Sequence, residues 1–173
     1  KYLLTGAFAS AILVYGMALI YAGTGTTEIR LIGQLLHCDE AGECTNPYSR
    51  NTLVYIGMGL LFSGLAFKVS LAPFHSWTPD VYQGAPTPIT GFMSVATKAA
   101  AFALIARFFF TAFSELHSIW MPFLFGISVL TMFVGNIAAI FQDDVKRMLA
   151  YSGVAHAGYL LIGIVANSQD GVA

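Results

Sequence analysis

Three stretches of this chain contain no Asp, Glu, Lys or Arg: Tyr2 to Thr27, Leu116 to Gln142 and Leu149 to Gln169. Each can supply the roughly 20 apolar residues a helix needs to cross the hydrocarbon core of a bilayer. A soluble core has no use for several such windows in 173 residues. Composition agrees, with 57% hydrophobic and 10% charged residues, where soluble domains carry about a quarter charged. The chain is therefore expected to be all-α, a polytopic transmembrane helix bundle forming one domain over residues 1–173. It starts on Lys1 at the edge of a hydrophobic helix, without Met, and is expected to be a piece of a longer protein.

Five hydrophobic units follow one another. The first is Tyr2 to Ala22, ended by Gly23-Thr24-Gly25-Thr26. An extramembrane stretch over residues 24–50 holds a short amphipathic candidate, Glu28 to Leu36. The second unit runs from Asn51 to a break at Pro73-Phe74-His75 and resumes as a short helix to Gln83. Pro73 removes a backbone donor and clashes with the preceding turn. The third covers about Pro88 to Phe110, entered through prolines that suit a first helical turn. The fourth is about Ile119 to Phe141 and the fifth about Met148 to Ala166. Small residues inside the spans, such as Ala96, Ala99 and Ala103, let helices approach closely in lipid. Trp77 and Trp120 fit anchoring at the membrane interface.

A net charge of −1 and the lack of a basic cluster argue against nucleic acid as a partner. The lipid bilayer is the partner the composition demands. Counting Lys and Arg does not orient the spans, since Lys1, Lys146 and Arg147 fall on one side and Arg30, Arg50 and Arg107 on the other. No Walker loop, dinucleotide fingerprint, HExxH or haem or iron–sulfur ligand set occurs, so no metal site is expected. Cys38 and Cys44 share one polar loop and read either as free thiols or as a disulfide facing an oxidising compartment.

Two charges stand where lipid does not tolerate them. Lys98 lies about ten residues into the third unit, where a lysine costs on the order of 2.5–3.5 kcal/mol on insertion scales. Such a residue faces a bundle interior or a hydrated cavity. Lys68 lies near the centre of the interrupted second unit. Irregular backbone at membrane depth survives only where protein or water covers it, and broken helices beside a charge point to transport sites. Burial disfavours an ammonium and a nearby carboxylate favours it, so a lysine between these influences can release and recover a proton. No carboxylate lies in the first half of the broken unit or in the third unit. His75 can cap carbonyls freed by the break or relay protons, and His156 can relay protons or simply pack. Asp80 reads as a cap or turn former. Asp143-Asp144 with Lys146-Arg147 reads as a surface turn, able to dock a neighbour.

The run Phe67-Lys68-Val69-Ser70-Leu71-Ala72-Pro73-Phe74-His75-Ser76-Trp77-Thr78-Pro79-Asp80-Val81-Tyr82-Gln83-Gly84-Ala85-Pro86-Thr87-Pro88 resembles a signature of the antiporter-like membrane subunits of respiratory complex I. Ser94 to Lys98, Gln142 to Met148, and Leu149-Ala150-Tyr151-Ser152 leading into His156-Ala157-Gly158-Tyr159 add to the likeness. The resemblance implies a larger bundle, of which this chain supplies about the sixth to tenth helices. It implies proton translocation coupled to quinone reduction elsewhere in an NADH–quinone oxidoreductase, a translocase. Lys68 and Lys98 match the lysines of the family's seventh and eighth helices, and His156 a polar position linking half-channels. No cofactor is expected on this chain, because NADH, FMN, iron–sulfur clusters and quinone belong to other subunits. Other membrane subunits of complex I are the implied partners. The implied place is the bacterial inner membrane in preference to the mitochondrial one, with Lys146 and Arg147 cytoplasmic and Cys38 and Cys44 periplasmic, which favours a disulfide over free thiols without deciding between them. Two alternatives share these features: a subunit of a multisubunit cation/proton antiporter or membrane hydrogenase, and a non-conducting membrane scaffold.

Overall fold

The structure, a computed structural model, describes residues 2–37 and 51–166. Cys38 and Cys44, and with them the question of a disulfide, lie outside the described residues. Five helices are long and apolar enough to cross a membrane. In chain order the elements are α1 (Tyr2–Thr24), α2 (Ile29–Leu35), α3 (Thr52–Val69), α4 (Trp77–Gly84), α5 (Thr87–Arg107), α6 (His117–Ile140) and α7 (Val145–Ala166). Between α5 and α6 come a π turn, Phe108–Ala112, and a 3₁₀ turn, Ser114–Leu116.

Packing follows the small residues. At the α1–α3 crossing, a Cβ on Gly16 would meet the backbone N of Leu61 at 2.5 Å and the Gly57 carbonyl at 2.8 Å. The two backbones therefore touch, and dispersion between them replaces the hydrophobic drive that lipid cannot supply. Gly135 approaches Ala155 in the same way where α6 crosses α7. The amphipathic candidate near Glu28 is α2, and Gly33 on it presses against the Thr111 carbonyl of the π turn. Asn51 caps α3 by accepting from the Leu53 N–H at 3.0 Å and donates to the Gly23 carbonyl at 3.2 Å.

Both tryptophans point inward instead of anchoring at the interface. The Trp120 indole is buried and donates to the Phe113 carbonyl at 2.8 Å. Its N–H joins the Leu116 N–H on that carbonyl, between the π and 3₁₀ turns where regular helical bonding lapses.

Five crossings sort the connections to two faces. Residues 24–37, residue 51 and residues 108–117 lie on one face, with residues 84–87 and 141–145 on the other. On the first face, His37 Nδ1 meets Glu115 Oε1 at 3.0 Å.

Candidate functional site

The helix break does not begin at Pro73. α3 ends at Val69, and Ser70 takes the left-handed conformation at φ 64°. The Ser70 N–H donates to the Phe67 carbonyl at 3.2 Å, and the Leu71 N–H to the Ala66 carbonyl at 2.9 Å. This pair of bonds is a Schellman ending, which satisfies carbonyls that a helix end leaves open. Pro73 follows in the non-helical segment, where its missing N–H costs nothing.

Polar side chains close the rest of the break. Trp77 donates its indole N–H to the Phe67 carbonyl at 3.0 Å. The Thr78 hydroxyl donates to the Ser70 hydroxyl at 2.7 Å, with both residues fully buried. The Ala72 N–H reaches Thr131 Oγ1 on α6 at 3.0 Å. Protein therefore covers the irregular backbone over Ser70 to Ala72, as an apolar surrounding requires, while Pro73 and Ser76 stay exposed. Trp77 does the capping that His75 was a candidate for. The His75 ring lies 6.3 Å from that of Tyr151 on α7, and its buried Nδ1 has no hydrogen-bond partner among the described residues.

Lys68 occupies the last turn of α3 and is half-buried. No carboxylate pairs with it among the described residues. Lys98 sits on the inward side of α5 with Ala101, Phe102 and Ile105 and is only 6% exposed. Its Nζ donates to the Gly153 carbonyl of α7 at 2.8 Å. A Cβ on Gly153 would stand 3.4 Å from that nitrogen, so the glycine leaves room for the ammonium to reach the helix backbone. The expectation that Lys98 faces the bundle interior holds. His156 lies on the exposed side of α7, edge-on to Tyr159 at 5.8 Å between ring centroids. Tyr159 in turn takes the Asn136 amide on its hydroxyl at 3.1 Å. No hydrogen bond joins His156 to either lysine among the described residues.

A second polar group, at the α6–α7 turn, was not foreseen as a unit. Arg147 donates through Nη1 to Asp80 Oδ1 at 2.9 Å and to Gln83 Oε1 at 3.1 Å, and through Nε to Gln142 Oε1 at 3.1 Å. Gln83 returns a bond to Asp144 Oδ2 at 3.0 Å. Asp144 caps α7, its Oδ1 accepting from the Lys146 N–H at 2.7 Å and the Arg147 N–H at 3.2 Å. The backbone N–H of Arg147, with help from Lys146 and the Gln83 amide, holds the Asp144 carboxyl below its ordinary range. Asp80 thus forms a long-range ion pair, and the turn docks α4 of its own chain.

Five membrane-capable helices, a helix break and a buried lysine reaching a helix backbone define a polytopic membrane protein with a charge in its interior. The family described as NADH:quinone oxidoreductase/Mrp antiporter, TM, matches residues 1–173, and the chain belongs to it. Among curated relatives, NADH-quinone oxidoreductase subunit N of Moorella thermoacetica is 50% identical over 99% of this chain and 34% of its own length. Among solved structures, a chain of respiratory complex I from Thermus thermophilus with bound aureothin is 42% identical. Its TM-score is 0.74, over 99% of this chain and 35% of that one. A chain of the Mrp complex from Dietzia sp. DQ12-45-1b is 25% identical with a TM-score of 0.84, over 98% of this chain and 29% of that one. The chain spans about a third of the length of the curated relatives it matches. With bacterial relatives and five membrane-capable helices, it belongs in the bacterial inner membrane.

Proposed function

We propose that this chain forms part of a proton-translocating membrane subunit of an NADH–quinone oxidoreductase. In it, Lys68 and Lys98 pass protons, with energy from quinone reduction elsewhere in the assembly. The observation that carries this reading is Lys98: a buried side chain whose nitrogen meets a backbone carbonyl and, among the described residues, no carboxylate. One dipole holds an ammonium far less firmly than a counter-ion does, so modest changes in hydration or nearby charge can tip it between holding and releasing a proton. A permanent structural cation would be matched instead by a full opposite charge. Lys68, beside the break that follows α3, supplies the neighbouring station, and half-buried His75 can receive a proton on its Nδ1. His156, on the exposed side of α7, is a further station.

The test uses membrane vesicles with the whole complex. Lys68→Ala and Lys98→Ala should leave NADH oxidation by quinone running while the protons moved per electron fall. Normal assembly with unchanged pumping in both variants would favour a scaffold and end this reading. A cation/proton antiporter subunit is the second reading, favoured by the higher TM-score to the Mrp chain. Sodium-driven proton movement without quinone would select it.

A further inference from the structure

We propose that Asp80 and Arg147 are a positioning pair, through which the helix break beside Lys68 and the carbonyl that holds Lys98 keep a fixed relation. This rests on the proton-translocation reading and names residues that control it without themselves carrying protons.

The connection can be traced bond by bond. Phe67 and Ser70 flank Lys68, and both are tied to α4, through Trp77 and Thr78 respectively. One turn further along α4, Asp80 and Gln83 hold the Arg147 guanidinium. Arg147 stands in the first turn of α7, and Gly153 follows six residues later on the same helix, about 9 Å along its axis. Gly153 receives the Lys98 ammonium. Besides the ring contact of His75 with Tyr151, this is the polar link between the broken segment and α7 among the described residues. The guanidinium is suited to the task because its planar fork binds three acceptors from two elements at once, which a lysine cannot do. Glutamine at 83 and 142 completes the acceptor set without adding charge.

A pair of this kind sits at about one-third exposure on each side chain, too wet for large stabilisation. Its value then lies in geometry. If α4 shifts against α7, the Gly153 carbonyl moves relative to α5, and the distance to Lys98 Nζ changes with it.

The test again uses the assembled complex in vesicles. It reads three quantities: the amount assembled, the electron-transfer rate per complex, and protons moved per electron. Asp80→Asn and Arg147→Gln should keep electron transfer per complex and lower protons per electron roughly two- to fivefold, the scale of a part-exposed ion pair. Arg147→Lys, which keeps the charge but loses the fork, should show a similar loss and serves where Arg147→Gln fails to assemble. The exchange Asp80→Arg with Arg147→Asp should recover much of the ratio. Asp143→Asn, an exposed carboxylate in the same turn, should change nothing. A merely structural pair would lower the amount assembled and leave protons per electron at the wild-type value. That result would overturn the proposal. Lys98→Ala, run alongside, separates the two failures: an unchanged ratio there removes the translocation reading itself, whatever the pair does.

Discussion

Lys98 puts an amine where charge is expensive, and the surrounding residues do little to compensate. It shares the buried side of α5 with Ala101 and Phe102, and its nitrogen finds one carbonyl. Function and stability therefore pull apart at this side chain. Lys98→Met keeps the length and apolar stem while removing the desolvated ammonium, whose insertion cost is on the order of 2.5–3.5 kcal/mol. The variant should melt at the wild-type temperature or above it in detergent while pumping falls, measured on the whole complex. A clear drop in melting temperature would mean the ammonium holds the bundle together. Much at this scale was legible beforehand, because a lysine within an apolar run is improbable unless it faces inward. The carbonyl partner was not legible. Gly153 lies 55 residues away, and a glycine carries no side-chain signal that its carbonyl will accept a second donor.

Among the elements, the broken helix shows how sequence can mark a feature and misplace its cause. Pro73 announces an interruption, yet the chain leaves the helix at Ser70, stabilised by bonds to Ala66 and Phe67. Glycine is the usual residue in that left-handed position, so a serine there gives no warning. Its presence makes sense once Thr78 is seen donating to its hydroxyl. Ser70→Ala should lose on both counts, keeping the left-handed cost and leaving a buried hydroxyl with one partner fewer, a penalty of about 1–3 kcal/mol. Ser70→Gly should recover roughly 1 kcal/mol of that through relaxed backbone geometry. Thermal denaturation of the two variants in the same detergent would check the order, and equal melting points would remove the left-handed argument. The inward turn of Trp77 and Trp120 has a similar origin. Aromatic amphiphiles suit interfaces on average, but each indole here adds a second bond to a carbonyl at an irregular turn, which only the folded chain reveals.

For the whole molecule, span count and order followed from the five hydrophobic units, while the orientation of the bundle did not. The five crossings place Glu28 and Asp143 on opposite faces. Cysteines introduced at these exposed positions should therefore react with a membrane-impermeant thiol reagent from opposite sides of sealed vesicles. Labelling of both from one side would refute the alternation of the spans. The contact of Arg147 with Asp80 spans 67 positions and joins two surface-polar residues, each of which reads alone as an ordinary cap or turn former. Long-range polar pairing of this sort has no periodicity to betray it.

The π turn at Phe108–Ala112 has a last implication. A π turn accommodates one residue more than the α-helix it interrupts, so everything after it is rotated relative to a regular continuation. Removing a single residue there would turn the point at which the chain leaves α5 by about 100° around its axis and pull Glu115 off His37. One amino acid of chain length thus works as a phase-setter for this rim of the bundle, where the same deletion in an ordinary surface loop would be harmless.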